Sequence, residues 1–311
     1  MALDPARFRG YTPIDLVSMA YVAFCLAVVA LGGSRVPSHE LRLVLYSTAL
    51  AGLALLRWAP RAGWRPFQFL REAYPLLLLT LAYSETAALG RAFTDGYHDA
   101  LVLRWERALF GALPSLIFSQ WAPSRLLSEL LHFCYLAYIA LVPTLGLTLF
   151  FRGRSELLRG FVTTIMLTFL VCYATFILFP VRGPYYELER PVVASFGIFP
   201  PIVHAMLARG AAVGAAFPSS HVAAAVVVAM MAHRFSRPMS YAMAFIAVGI
   251  FFGTVYGGFH YAVDAVAGLI WGVIAGNLGP GLHRRLTRVT RQARAGYRTR
   301  AALRSPRARA S

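Results

Sequence analysis

The stretch Phe217-Pro218-Ser219-Ser220-His221 opens one long apolar run, and the stretch His260-Tyr261-Ala262-Val263-Asp264 opens another. Polar and ionisable side chains therefore stand at the edges of segments that are otherwise apolar. Apolar packing alone does not require two histidines, a carboxylate and two hydroxyl groups at such positions. Together the two stretches predict a bundle of apolar helices with a polar site at one end.

The composition is typical of a polytopic membrane protein. Of the 311 residues, 58% are apolar and only 14% are charged, which is far from the balance of a soluble domain. Eight runs are suited to helices that cross a bilayer about 30 Å thick. They cover residues 14–33, 41–58, 67–90, 125–151, 157–180, 218–235, 238–258 and 260–282. The predicted fold is an all-α membrane helix bundle with about eight transmembrane helices.

Two segments are too polar to span a membrane and too apolar to be plain loops. Residues 94–121 mix acidic residues and arginines with leucines and aromatic residues, which predicts an amphipathic helix in the membrane interface. Residues 181–217 contain several prolines, which predicts a structured loop. The loop and both histidine motifs belong to the same predicted face of the bundle.

The basic residues indicate how the chain is oriented. All 30 are arginines, and the formal net charge is +17. With a cytoplasmic N-terminus, the eight spans place 21 arginines on the cytoplasmic side and nine on the other. The positive-inside rule then predicts that both termini lie in the cytoplasm and the histidine motifs on the outer side, and the expected location is the plasma (inner) membrane.

The arginines lie between spans and in the tail of residues 283–311. Anionic lipid headgroups, rather than nucleic acid, are therefore the expected electrostatic partner. The tail has ten arginines and no acidic residue, so it is predicted to be disordered. It either forms a solvated extension that fixes topology or docks to anionic lipid.

His260 and Asp264 are spaced to work as a pair. On a helix, positions i and i+4 are neighbours, so the carboxylate of Asp264 can reach one ring nitrogen of His260. Such a contact fixes the tautomer of the imidazole and stabilises its charged form. The alternative interpretation is that Asp264 only caps a helix and that His260 is an interfacial residue.

The sequence Pro218-Ser219-Ser220-His221 predicts a helix start that binds an anion. Proline suits the first helical turn, and the free N–H groups of that turn, with the Ser219 and Ser220 hydroxyls, favour negative charge. His221 stands in the same turn, where it can donate a proton to a leaving oxygen. A serine-rich helix cap with an incidental histidine is the alternative interpretation.

Arg182 and Arg190, in the predicted loop, complete the candidate site. Guanidinium groups match phosphate oxygens and stay charged at physiological pH. Each alone is equally consistent with an interfacial arginine that keeps its charge in water. With both histidine motifs on the same predicted face, they favour the binding of a phosphate group at the lipid surface.

The paired motifs resemble those of the type 2 phosphatidic acid phosphatase superfamily of membrane lipid phosphatases and phosphotransferases. The chain is most similar to the inositol phosphorylceramide synthase branch, which is also indicated by Phe110-Gly111-x-x-Pro114-Ser115. Ser220 replaces the glycine usual in the second motif, and Arg182 precedes Arg190 by one residue more than in the phosphatases. Gly253-Thr254 stand where the phosphatases carry Ser-Arg. The missing arginine favours the transferase branch.

By this resemblance, residues 67–282 form a six-helix catalytic core, and residues 1–66 are membrane helices outside it. His260 would be the nucleophile that forms a phosphohistidine, Asp264 would orient it, and His221 would protonate the leaving group. The residues that would bind the phosphoryl oxygens are Arg182, Arg190, Ser219 and Ser220. The resemblance implies neither a metal nor another cofactor.

The implied function is a lipid phosphotransferase that moves a phosphate-bearing headgroup between a lipid and an alcohol such as inositol. The alternative is a lipid phosphate phosphatase that acts on phosphatidic acid or on a prenyl phosphate or diphosphate, with water as the acceptor. A transporter is less consistent with the sequence, because the ionisable residues lie at the ends of spans and no internal repeat is visible. A catalytically inactive scaffold predicts the loss of one histidine, and both are present.

Overall fold

The structure is a computed structural model that describes residues 10–56, 65–188, 197–210 and 212–303. These residues are mostly helical and form no β-strand beyond one isolated bridge between Val181 and Ala215. The helices, numbered α1 to α12 along the chain, are Pro13–Gly32, His39–Leu55, Arg65–Leu89, Asp99–Phe110, Pro114–Trp121, Arg125–Phe151, Ser155–Leu178, Pro184–Glu187, Phe199–Gly210, Ser220–His233, Arg237–Tyr256 and Ala262–Leu303. The predicted all-α bundle is confirmed.

Several of these helices are suited to a membrane. Five segments in the described residues are long and apolar enough to cross one: Pro13–Arg35, Arg125–Phe151, Ser155–Leu178, Arg237–Tyr256 and Ala262–Arg291. Helix α10 is apolar but has only 14 residues. Large apolar side chains such as Leu45, Leu81 and Phe151 face outward, as lipid-facing residues do. Each of the eight predicted runs coincides with a helix, and the exact number of spans stays a prediction.

Helix α10 lies at the centre of the bundle, in contact with α6, α7, α11 and α12. Helix α10 has many alanines with small side chains, and α12 packs closely against it at glycine positions. A Cβ atom at Gly268 would lie 2.4 Å from the carbonyl oxygen of Ser219, and one at Gly272 would lie 2.7 Å from that of Ala223. Small residues permit this close packing of helices. The approach brings the start of α12 beside the start of α10.

Helices α1 and α2 share the apolar core of the rest of the bundle. Helix α1 packs against α2, α3 and α7, and its buried Val22 and Val29 belong to the same cluster as Ile165 and Phe176 of α7. Apolar contacts therefore join the first two helices to the remaining ones. The division between residues 1–66 and a core of residues 67–282 stays a prediction.

The structure differs from the sequence expectation in three places. Residues 94–121 form two helices, α4 and α5, because Gly111 adopts a left-handed conformation (φ +69°) that ends α4. The predicted loop contains α8 and α9, since proline is compatible with the first turn of a helix and Pro184 stands there in α8. Helix α12 continues to Leu303, so the described part of the tail is helical. Arginine, alanine and leucine are good helix formers.

Candidate active site

His221 and His260 lie side by side at one end of the bundle, termed the histidine end, where α10 and α12 begin. Their ring centroids are 5.9 Å apart, and the ring planes are inclined by 59°. Both side chains line a cavity of about 40 Å³. The other described residues that line it are Tyr83, Tyr135, Arg182, Tyr185, Tyr186, Leu207, Ala212, Ala215, Ala216 and Phe259. The structure thus brings the two histidine motifs to one site.

His260 lies in the turn before α12, and Asp264 lies in the first turn of that helix. Nδ1 of His260 is 3.5 Å from Oδ2 of Asp264, which is long for a hydrogen bond. The same oxygen accepts a hydrogen bond of 2.9 Å from the N–H of Tyr261, and Asp264 is fully buried. Catalytic hydrogen bonds are often long before a substrate binds. The structure therefore brings the two side chains close together without a hydrogen bond between them, and control of the tautomer by Asp264 stays a prediction.

A backbone hydrogen bond of 2.9 Å from the N–H of Ser219 to the carbonyl of Asp264 fixes the two motifs relative to each other. Helix α10 begins at Ser220. Pro218, which the sequence predicts in the first turn of this helix, therefore lies two residues before it. Ser219 is the N-cap, and its hydroxyl accepts a hydrogen bond from the N–H of Val222 at 3.4 Å. Neither serine lines the described part of the cavity. Phosphate binding by Ser219 and Ser220 stays a prediction.

Two tyrosines of α6 surround the imidazole of His221. Its ring stacks on that of Tyr135 with centroids 5.2 Å apart, and the ring of Tyr138 lies at 4.5 Å. Nε2 of His221 is 3.5 Å from the hydroxyl of Tyr135. Nδ1 is buried and has no hydrogen-bond partner among the described residues. One ring nitrogen is therefore oriented by α6, and the role of His221 as a proton donor stays a prediction.

Arg182 reaches the same cavity from the segment between α7 and α8. Its Nη1 lies 2.8 Å from Oε1 of Glu187. The guanidinium group lies 5.5 Å from the ring centroid of Tyr97 and 5.8 Å from that of Tyr186, which is within the range of cation–π attraction. Arg190, the other predicted phosphate ligand of this loop, lies outside the described residues.

Asp99, at the start of α4, holds this segment in place. Its Oδ2 accepts a hydrogen bond of 2.9 Å from the backbone N–H of Arg182, and its Oδ1 accepts one of 2.9 Å from that of Gly183. The hydroxyl of Tyr261 donates to the same Oδ1 at 3.1 Å. Asp99 is only 5% exposed. One buried carboxylate therefore links the segment that carries Arg182 to the turn that carries His260.

Glu106, two turns further along α4, holds the start of α12. Its two carboxylate oxygens accept hydrogen bonds from the N–H groups of Ala262 and Val263 at 3.1 and 3.2 Å. These N–H groups have no partner inside a helix, and a negative charge is favoured there. Burial raises the pKa of Glu106, while the two N–H donors act in the opposite direction. Helix α4 thus positions the site through both of its buried acidic residues.

The sequence alone identifies the acidic residues of α4 only as polar members of an interfacial helix. A usable signal was present, because Asp99 and Glu106 are seven residues apart and therefore lie on one face of a helix. Two other acidic residues outside the cavity lining contribute differently. Glu85 pairs with Arg42 at 2.8 Å, and Glu129 accepts hydrogen bonds from backbone N–H groups at the start of α9.

A family model described as the PAP2 superfamily matches residues 100–278, which is more than half of the chain. No curated protein matches. The crystal structure of LpxE from Aquifex aeolicus is similar at 21% identity over 60% of this chain and 97% of that one, with a TM-score of 0.40. The match to the family model includes both histidine motifs.

Proposed function

The chain belongs to the PAP2 superfamily, and we propose that this membrane enzyme is a lipid phosphotransferase. It moves a phosphate-bearing headgroup from a lipid to an alcohol through a phosphohistidine intermediate at His260. The observation that carries the proposal is the charge of the site. Arg182 is the only arginine among the described residues that line the cavity, and Glu187 pairs with it. Among the described lining residues the one arginine is therefore already paired with a carboxylate, which suits a singly charged phosphodiester better than a doubly charged phosphomonoester.

In the first step, Nε2 of His260 attacks the phosphorus atom, and the bond from phosphorus to the lipid alcohol oxygen breaks. His221 gives that oxygen a proton, so the lipid leaves as a neutral alcohol. Asp264 keeps the proton on Nδ1 of His260 and stabilises the charged ring. Arg182 stabilises the charge on the phosphoryl oxygens. The remaining proposed phosphate ligands are Arg190, Ser219 and Ser220.

In the second step, the acceptor alcohol gives its proton to His221 and attacks phosphorus. The bond from phosphorus to Nε2 of His260 breaks, and both histidines return to their initial protonation states. Inositol is one such alcohol. Water as the acceptor turns the same sequence of steps into the phosphatase reaction of phosphatidic acid or a prenyl phosphate, which is the alternative function. The two reactions share both histidine steps and differ in the acceptor and in whether the donor is a phosphodiester or a phosphomonoester.

The test is to incubate the purified protein with a phospholipid labelled at phosphorus, with and without candidate alcohols including inositol. The phosphorus-bearing products are then identified by chromatography and mass spectrometry. We expect the label to move to the alcohol faster than inorganic phosphate is released. Rapid release of inorganic phosphate from phosphatidic acid or a prenyl phosphate, unaffected by added alcohols, would exclude the transferase and leave the phosphatase.

We further propose that the histidine end faces the outer side of the plasma (inner) membrane, with both termini in the cytoplasm. The support is the distribution of arginines, 21 against nine, under the positive-inside rule. The native cysteines are buried, so single cysteines can be labelled selectively. With an impermeant thiol reagent, Ala205→Cys in α9 is expected to react in intact cells and Arg285→Cys is not. The opposite pattern would invert the orientation.

A further inference from the structure

The side chain of Arg182 is engaged before any substrate enters the cavity. Its backbone N–H donates to Asp99 at 2.9 Å, which fixes where the side chain starts. Its Nη1 lies 2.8 Å from Oε1 of Glu187, and the rings of Tyr97 and Tyr186 lie within 6 Å of the guanidinium carbon. The carboxylate of Glu187 therefore already contacts one side of the Arg182 guanidinium group, which the proposed reaction needs for the phosphoryl oxygens.

The same guanidinium retains a donor for another anion. Nε of Arg182 is buried and has no hydrogen-bond partner among the described residues, and an arginine offers five N–H donors in a planar fork. A phosphoryl oxygen in the cavity can accept from this free edge. It would then share Arg182 with Glu187, and every negative charge on the phosphate group would be repelled by the Glu187 carboxylate.

We propose that Glu187 sets the charge preference of the site, so that a phosphate group with one negative charge is favoured over a group with two. The inference rests on the proposed function, because it assumes that Arg182 contacts the phosphoryl oxygens. The side chains of Arg182 and Glu187 are 37% and 30% exposed, so water screens their charges only in part. Coulomb repulsion is proportional to the charge of the ligand, and Glu187 therefore disfavours a dianion about twice as strongly as a monoanion.

A second ion pair in the chain provides a matched control. Arg42 and Glu85 are joined by a contact of the same length, 2.8 Å, with side chains 18% and 25% exposed. Neither residue lines the cavity that contains the two histidines. If an ion pair of this kind only holds the chain together, neutralising Glu187 and neutralising Glu85 should have the same effect on anion binding.

The experiment measures equilibrium binding of two probes to the purified protein at mildly alkaline pH. Inorganic phosphate then carries mainly two negative charges, and dimethyl phosphate carries one. We expect Glu187→Gln to bind inorganic phosphate roughly tenfold more tightly and dimethyl phosphate roughly threefold more tightly than the wild type. Glu187→Ala is expected to change both affinities in the same direction, Glu85→Gln to change neither, and Arg182→Gln to weaken both.

Equal changes for the two probes, or weaker binding in the correctly folded Glu187 variants, would overturn the proposal. If Arg182→Gln weakens binding while both Glu187 variants match the wild type, the phosphate site stands and only the role of Glu187 is wrong. If the wild type binds neither probe, the phosphate site of the proposed function is wrong as well, and the inference about Glu187 is overturned with it.

Discussion

The two ends of the bundle carry charge in different ways. At the histidine end, Asp99 and Glu106 are buried, and their carboxylates accept hydrogen bonds from backbone N–H groups. At the opposite end, termed the arginine end and formed by Glu156, Arg159 and Arg291, the carboxylate lies 3.5 Å from each of two exposed arginines. Helix α12 joins the two ends, because it begins at a buried carboxylate and continues past exposed arginines.

This difference indicates that burial, rather than the number of charges, determines how much a charged residue contributes to stability and local geometry. An exposed ion pair contributes about 0–1 kcal/mol, because water screens both partners. Removing one partner of a buried hydrogen bond costs about 1–3 kcal/mol, and more when charge is involved. The few acids of the histidine end therefore determine local geometry, whereas the exposed ion pairs of the arginine end contribute little to stability.

The largest effect is expected from His260→Ala at the histidine end. Loss of the proposed nucleophile should lower the turnover rate by about a thousandfold or more. It should also abolish the acid-labile, base-stable phosphate label that we expect to accumulate on the wild-type protein during turnover. His233→Ala is the control, since this exposed histidine ends α10 far from the cavity. Near-normal activity of His260→Ala would refute the assignment of the nucleophile.

A smaller but still large effect is expected from Asp99→Asn. An asparagine offers only one acceptor oxygen in place of the two that hold the N–H groups of Arg182 and Gly183. A displacement of about 1 Å in a catalytic group can cost about a hundredfold in rate. We therefore expect kcat to fall by roughly that factor while the protein still folds, as checked by its elution and thermal unfolding. An unchanged kcat would show that α4 does not position the site.

The fold was largely predictable from sequence because apolar length is a local property. The run of residues 125–151 coincides with helix α6, Arg125–Phe151, and Ser124 caps it. Helix α9 was missed because Pro200 and Pro201 were interpreted as loop signals, although the structure places both in its first turn. A proline alone does not distinguish the beginning of a helix from its absence.

The site was predictable only where its contacts are local. His260 and Asp264 are four residues apart, so helical geometry predicts their proximity. Asp99 and Arg182 are separated by 83 residues, and Glu106 and Ala262 by 156. Both acids bind backbone N–H groups, which nearly every residue possesses, so no pattern of side chains identifies the partners. The tertiary structure is needed to see that α4 organises the site.

A moderate, pH-dependent effect is expected from Glu106→Gln. Burial raises the pKa of Glu106, so the folded protein binds this proton more tightly than the unfolded chain does. The free energy of unfolding that this difference contributes is fully present at pH values below the pKa of Glu106 in the unfolded chain. It is lost as pH rises through the pKa of Glu106 in the folded protein. Between these two pKa values, the Tm of the wild type should fall with rising pH by about 3 °C more than the Tm of the variant does. If the curves of Tm against pH for the wild type and the variant are parallel, the proposed link between protonation of Glu106 and stability is wrong.

The smallest effect is expected from Glu156→Gln at the arginine end. The substitution removes the contacts of Glu156 with Arg159 and Arg291, but both lie at 3.5 Å and the glutamate side chain is 65% exposed. Exposed pairs contribute about 0–1 kcal/mol, so the Tm should change by no more than about 4 °C and kcat should not change. Thermal unfolding and turnover should be measured for Glu156→Gln and for Asp99→Asn in parallel. The two variants compare an exposed acidic residue with a buried one in the same chain. A fall in kcat as large as that of Asp99→Asn would show that the two ends are coupled through the bundle, and the contrast between them would no longer hold.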